Sequence, residues 1–479
     1  MSTDSLLLLP ITLIACIVVI GIVLARPFVG FCLIIFVVTF CEMFTTGDPI
    51  SMITFQMMIK IRGFPLKFTP LEILMLATII SGWSKARANG DRFWIKTASN
   101  KLWIGFALTI AFGFFWGWRR GGDFNTAVIE VRGLVYAILM YFMGTFFLQD
   151  FKRLKHVSWV FMLGVLGLII ISIVRYSIIR FDTTGVDSLN GSNHDTALFF
   201  AMLTMYLLSQ ISFGTWKWHK FFNYLLLFPS IFSMMISGRR AAFVSLVVAY
   251  GVYLVILFIR KRKAFWITLV ITVLIGAPYM AIFWSNQSSP LGMPARAIRS
   301  QLSGQASARD ASSDLYRLVE KYDVHYTIMQ NRIFGVGFGQ QFYTPVELIS
   351  LDGFVFQLYT PHINILWIWL KVGIVGFALF WLLQCIGFFQ LAQVIKYSRA
   401  GPELGFTLFA GLSLVVILVY AYVDIALSGY RLTSLMGIFL AVINLHYQKV
   451  LPEVHKFGGR KLFLFNRTKQ KKGVLLNEK

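Results

Sequence analysis

Charge is scarce in this chain: Asp, Glu, Lys and Arg make up 14% of its residues, against roughly 25% in an ordinary soluble domain. Acidic residues are the scarcest part of that small share, 21 against 44 basic ones. Nowhere does Asp-x-Asp occur, which excludes the familiar acidic site that holds a divalent metal on a diphosphate. A P-loop and a G-x-G-x-x-G turn are also missing, so no nucleotide site is expected, and any energy for a reaction must arrive with the substrate. The four cysteines, Cys16, Cys32, Cys41 and Cys385, all fall in apolar runs without C-x-x-C spacing. They read as small buried hydrophobes, with neither a disulfide framework nor a metal site. No metal ligand set and no cofactor is expected.

What is abundant is apolar surface, at 57% of the residues. A soluble core of this length cannot bury that much, whereas lipid absorbs it. Apolar runs recur along the whole chain, near 6–25, 27–44, 69–83, 102–118, 128–149, 157–175, 195–213, 220–236, 240–259, 265–283, 363–390, 406–424 and 430–446. Most are long enough to span about 30 Å of hydrocarbon. The reading is an all-α polytopic membrane protein with about 12–14 transmembrane helices, 13 favoured. The first run is too long for a cleaved signal peptide and reads as a permanent span.

Basic residues orient this chain. Arg260-Lys261-Arg262-Lys263, Lys152-Arg153-Lys155, the stretch from Lys85 to Lys101 and the tail from Lys449 onward separate successive spans. Placing them in the cytoplasm gives a consistent alternation, with the carboxy terminus inside. On the opposite side the lysines are few (Lys60, Lys67 and Lys321) and arginine dominates. Arginine's planar fork grips phosphate and carboxylate bidentately, so that face is expected to hold an anionic ligand. The bland alternative is arginines that snorkel to headgroups.

The organisation follows: transmembrane helices 1–10 over 1–283, one large extracytoplasmic loop over 284–361, helices 11–13 over 362–446, and a basic cytoplasmic tail over 447–479. The loop starts with a Ser-, Gly-, Ala- and Pro-rich stretch, 285–313. Leu315, Leu318, Val319, Tyr322, Tyr326 and Met329 then recur at helical spacing, predicting an amphipathic helix begun by Ser312, Ser313 and Asp314. Such a helix either lies on the membrane surface or covers the spans as a lid.

Three constellations carry candidate chemistry. Ser237-Gly238-Arg239-Arg240 starts a span, and two cations at a helix N-terminus are disfavoured unless an anion sits there. Arg317 and Lys321 lie one turn apart on the loop helix; their bland reading is a solvated face paired with Glu320 and Asp323. His362, where the chain returns to the membrane, is placed to orient or deprotonate a hydroxyl.

The order of these features resembles the O-antigen ligase and O-antigen polymerase family, membrane glycosyltransferases that use undecaprenyl-diphosphate-linked glycans. The carriers are Ser237-Gly238-Arg239-Arg240-Ala241-Ala242, the long loop, Asn331-Arg332-Ile333-Phe334-Gly335-Val336-Gly337-Phe338-Gly339, then His362 with Leu366, and Lys371-Val372-Gly373-Ile374-Val375-Gly376. Arg132 also resembles a basic position of an earlier span. Two departures stand out. Ile363 follows the histidine, with Asn364 one place later, and the arginine step leaves Arg239 and Arg240 both open as the equivalent.

The resemblance implies polymerisation or ligation of a lipid-linked polysaccharide repeat (O-antigen, exopolysaccharide or capsule) at the outer face of the bacterial inner membrane. Transfer would be metal-independent and inverting. Arg239, Arg240 and Arg317 would bind the diphosphate, with Arg317 and His362 catalytic. The partners are then an undecaprenyl-diphosphate-linked glycan, a glycan or lipid acceptor, membrane lipids and a possible chain-length regulator, with no nucleic acid. A transporter or flippase of a lipid-linked or anionic substrate is the alternative, and it should show internal repeats and broken helices in matched halves.

Overall fold

A computed structural model describes residues 17–41, 59–60, 67–181, 195–284, 290–292, 294–295, 298–299, 308–351 and 355–458. Most of the predicted first span, much of the 285–313 stretch and the tail beyond 458 lie outside the described residues. Residues 17–25 are helical. They are followed by α1 (Pro27–Phe40), α2 (Pro70–Ala88), α3 (Asn100–Arg119), α4 (Phe124–Phe147), α5 (Leu154–Phe181), α6 (Thr196–Phe213), α7 (His219–Leu225), α8 (Leu227–Ile236), α9 (Arg240–Arg260) and α10 (Arg262–Phe283). After these come α11 (Ala308–Gln330), α12 (Asn364–Tyr397), α13 (Pro402–Ala421) and α14 (Tyr430–Gly458). A two-residue antiparallel pairing, Ile59–Lys60 with Lys67–Phe68, is the only β-structure among the described residues.

The chain is an all-α polytopic membrane protein. Among the described residues, nine helices are long and apolar enough to cross a bilayer. The described parts of the other predicted spans are helical too, but α1 is short, α2 is less apolar, and the 220–236 run splits into α7 and α8. Burial varies sharply among the nine: α6 and α13 are almost wholly enclosed, whereas α10 buries none of its spanning window. An apolar helix that touches its own chain mainly along α9 and leaves most of its surface uncovered faces lipid.

The most extensive helix pairing among the described residues joins α4 and α14, and small residues make it. A Cβ on Gly437 would strike the Ala137 carbonyl, one on Gly144 would meet Ala441, and one on Gly133 would meet the Ser428 backbone. Tight helix approach through small residues substitutes for a hydrophobic driving force, which is weak between helices in lipid.

Residues 331–340 thread between α3, α4 and α12, and this is what the glycine run accomplishes. Gly335, Gly337 and Gly339 have φ of 72°, 89° and 75°, values that L side chains adopt rarely. Any Cβ there would also land on backbone: Leu370 at Gly335, Gly117 at Gly337, Asp123 at Gly339. Within α12 the helix breaks at Gly373 (φ 68°). The glycine loop fills the break: Val336 N–H donates to Leu370 O (2.7 Å) and Ile374 N–H to Arg332 O (3.0 Å). The run is therefore a packing element and not a ligand cradle.

Its far end is held by a buried ion pair. Lys371 Nζ lies 2.8 Å from Glu130 Oε1, both fully enclosed. Glu130 also accepts from Gly339 N–H (2.6 Å) and Trp367 Nε1 (3.3 Å), and Lys371 donates to Gln340 O (2.7 Å). Removing one partner strands the other charge, at a cost of ~3–5 kcal/mol. Lys371→Met is therefore expected to lower the thermal unfolding midpoint of detergent-purified protein markedly. The double variant Glu130→Gln/Lys371→Met should recover part of the loss; no recovery would mean that the pair is not what the site depends on. Arg132, which resembles a basic position of an earlier span, lies outside this pair: it bonds to Glu72 (3.1 Å), the capping-box carboxylate of α2.

Candidate functional site

The arginine step is built by a turn. Helix α8 ends at Ile236, Gly238 takes φ 68°, and α9 starts with Arg239 as N-cap and Arg240 as first residue. Both sequence-predicted cations thus sit at a helix N-terminus, where partial positive charge already gathers. Arg240 reaches Asp314 of α11, Nη2 to Oδ1 3.4 Å. Arg239 lies within electrostatic reach of Tyr420, beside Asp424.

Helix α11 begins at Ala308, earlier than the start predicted at 312–314, and Asp314 serves as an ion-pair partner instead. Its protein-facing side is the polar one, which the bland reading of Glu320 and Asp323 places in solvent. Leu315, Leu318 and Tyr322 are 61%, 64% and 57% exposed, whereas Glu320, Asp323, Val324 and Thr327 are fully buried. The apolar stripe therefore faces outward and a polar row packs inward. Asp323 accepts from Val346 N–H (3.2 Å), and burial pushes its carboxyl above the ordinary range.

Glu320 is the centre of that row. Its Oε2 accepts from the His362 N–H at 2.8 Å, and its Oε1 lies 3.0 Å from His362 Nδ1. Tyr316, one turn earlier, donates to the same carboxylate (3.5 Å) and meets the imidazole edge-on at 5.6 Å. Gln357 Nε2 in turn donates to Tyr316 Oη (3.0 Å). Burial first, then the Glu320 charge, pushes the Tyr316 phenol up to about 12. For His362 the largest effect, burial, lowers its pKa. The hydrogen bond and charge of Glu320, with help from Asp424, outweigh burial and Arg317 and leave it raised above 6.5.

Arg317 projects from α11 between two carboxylates, 3.9 Å from Asp314 Oδ1 and 3.5 Å from Asp424 Oδ2. Asp424 lies in the turn between α13 and α14, and Asn364 fixes that turn: its Oδ1 accepts from Ala426, Leu427 and Ser428 N–H. The asparagine two places after the histidine thus staples a backbone turn under the site. Lys321 sits over the Tyr422 ring (5.8 Å).

Arg239, Arg240, Arg317 and His362, drawn from three separated stretches, are therefore brought to one place. Glu320, Asp314, Asp424 and Tyr316 complete it. Sequence reasoning placed Glu320 and Asp323 on a solvated face and had no signal for their inward direction. A cleft further along α11 is lined by residues 120–124, 326, 330–331, 339–345 and 358–359; the arginine–histidine cluster is where the charged side chains converge.

Residues 225–381 match the family described as O-antigen ligase. The arginine step, α11, the glycine loop and His362 all lie inside that stretch. No curated protein matches the chain.

Proposed function

We propose that this chain, which carries an O-antigen ligase domain over residues 225–381, transfers a glycan from a lipid diphosphate to a glycan or lipid acceptor at the outer face of a bacterial inner membrane. The observation that carries the reading is two arginines from different helices, Arg240 and Arg317, and a carboxylate-held histidine at one point of the bundle. Arg240 and Arg317 bind the donor diphosphate, with Arg239 behind them. The acceptor hydroxyl oxygen attacks the anomeric carbon as the bond from that carbon to the phosphate oxygen breaks. The diphosphate leaves with the electron pair, and the guanidinium groups stabilise its developing charge. The hydroxyl proton passes to His362. With Nδ1 engaged by Glu320, Nε2 is the nitrogen that takes it. A single displacement inverts the anomeric configuration.

The transporter alternative is less well supported. The break at Gly373 has its backbone groups taken by residues 332–336, and the membrane-embedded Glu130 and Lys371 pair with each other. Neither presents a site to cargo. The test is to give purified protein in nanodiscs a lipid-diphosphate-linked oligosaccharide, alone and with a lipid acceptor. Longer lipid-linked chains identify a polymerase and glycan on the acceptor a ligase. Movement across the bilayer without a new bond rejects both.

A further inference from the structure

The cleft beside the cluster measures about 1440 Å³, larger than the ~300–1,000 Å³ of a typical small-molecule pocket. It is bounded by the α3–α4 turn at Arg120–Phe124, the end of α11, residues 339–345 and Leu358–Tyr359. Its floor is fixed by hydrogen bonds: Asp123 N–H to Gly339 O (2.9 Å), Phe342 N–H to Leu358 O (3.0 Å), and Tyr343 N–H to Thr327 Oγ1 (2.9 Å). Against this frame stand Tyr326, Tyr343 and Tyr359 with Gln330 and Gln341. Tyr326 and Tyr343 are 40% and 47% exposed, and Gln341 Nε2 donates to Tyr359 Oη at 3.2 Å.

Rings with one face to offer, beside planar amides that both donate and accept, match a sugar's C–H face and hydroxyl edge. Of the lining residues, Arg120 and Asp123 alone carry full charges, of opposite sign. The cleft therefore has no net attraction for a phosphate, and its polar lining does not suit an acyl chain. Its place is equally specific. Tyr359 belongs to the segment that runs into His362, and Tyr326 and Gln330 follow Glu320 along α11 by about 9 and 15 Å at 1.5 Å per residue.

We propose that this cleft is an oligosaccharide subsite that holds sugars one or more units away from the bond being made. The proposal rests on the glycosyl-transfer reading and names where the glycan lies. Such a subsite selects the repeat unit, because it reads sugars that the diphosphate-binding arginines never touch.

The test uses full-length protein in nanodiscs and, as probe, lipid-free repeat oligosaccharides released from the source cell's own surface glycan. Saturation-transfer NMR should show binding to the unaltered protein. Tyr343→Ala and Gln341→Ala should each weaken it about tenfold or more, while Tyr343→Phe, which keeps the ring, retains it. Binding of undecaprenyl diphosphate without sugar should be unchanged in all three, which also reports that they fold. Unaltered oligosaccharide affinity in the alanine variants, or no binding to the unaltered protein, overturns the subsite. Cleft-dependent binding together with no glycosyl transfer in any assay leaves the subsite standing and rejects the transfer reading instead.

Discussion

His362→Ala is expected to slow glycosyl transfer by about 10²–10⁴-fold, the range for losing a positioned general base, with binding of the lipid diphosphate close to unaltered. The more searching variant is Glu320→Gln, which keeps the shape of the contact and removes its charge. The groups that face the imidazole are Glu320, Asp424, Arg317 and Tyr316. Burial lowers its pKa and Arg317 adds to that, but the Glu320 charge and hydrogen bond bring it above 6.5. Without that charge, burial wins and the pKa falls. The base acts in its neutral form, so the acidic limb of the kcat profile should move to lower pH in Glu320→Gln. The plateau should fall as well, because the imidazolium formed in the transition state loses its counter-charge. Stability carries its own sign. A histidine with a raised folded pKa stabilises the fold fully below about pH 6.5, and this contribution disappears as pH rises through the folded value. Glu320→Gln should therefore cost more thermal stability at pH 6 than at pH 9. An acidic limb left in place would show that Glu320 does not tune His362.

The membrane architecture was legible from apolar runs alone, since a span needs only length and the lack of charge. The run at 220–236 misled in detail: nothing in its composition marks the junction at Leu226 that divides it into α7 and α8. On α11 the periodicity found a real apolar stripe but left open whether it met the membrane surface or the spans. In a soluble protein an apolar face packs inward. Beside a bilayer, Leu315, Leu318 and Tyr322 have an apolar or interfacial medium of their own, and the inward row is the polar one that holds His362. Arginines 239 and 240 were found because cations at a helix start conflict with its dipole. Glu320 produced no such conflict, since one more carboxylate on a charged helix looks ordinary. Asn364 was noticed only as a departure from a pattern, and its hold on residues 426–428 depends on contacts some sixty residues away.

Arg317→Ala is expected to lower kcat/KM for the lipid-diphosphate donor by about 10–150-fold, the loss of one charge-assisted hydrogen bond of ~1.5–3 kcal/mol. Arg317→Lys should restore little, because a point charge cannot replace a bidentate fork. Of the present partners of these arginines, Asp424 is nearly buried, and the shared Asp314 is the one that a donor can replace. Arg240 and Arg317 share Asp314 at 3.4 and 3.9 Å, and Asp314 is 52% exposed. Long, half-exposed pairs of this kind contribute ~0–1 kcal/mol, less than one good bond to a diphosphate. Asp314 is thus a weak occupant that an incoming donor displaces, and Asp314→Asn should lower KM for the donor with kcat little changed. Arg240 and Arg317 come from different helices, yet they converge on that one carboxylate, so both should grip the same diphosphate. Their alanine substitutions should then be non-additive, with a coupling of ~0.5–3 kcal/mol in a double-mutant cycle on kcat/KM. Strict additivity, together with full rescue by Arg317→Lys, would place the two arginines on separate ligands and remove the basis for a shared diphosphate site.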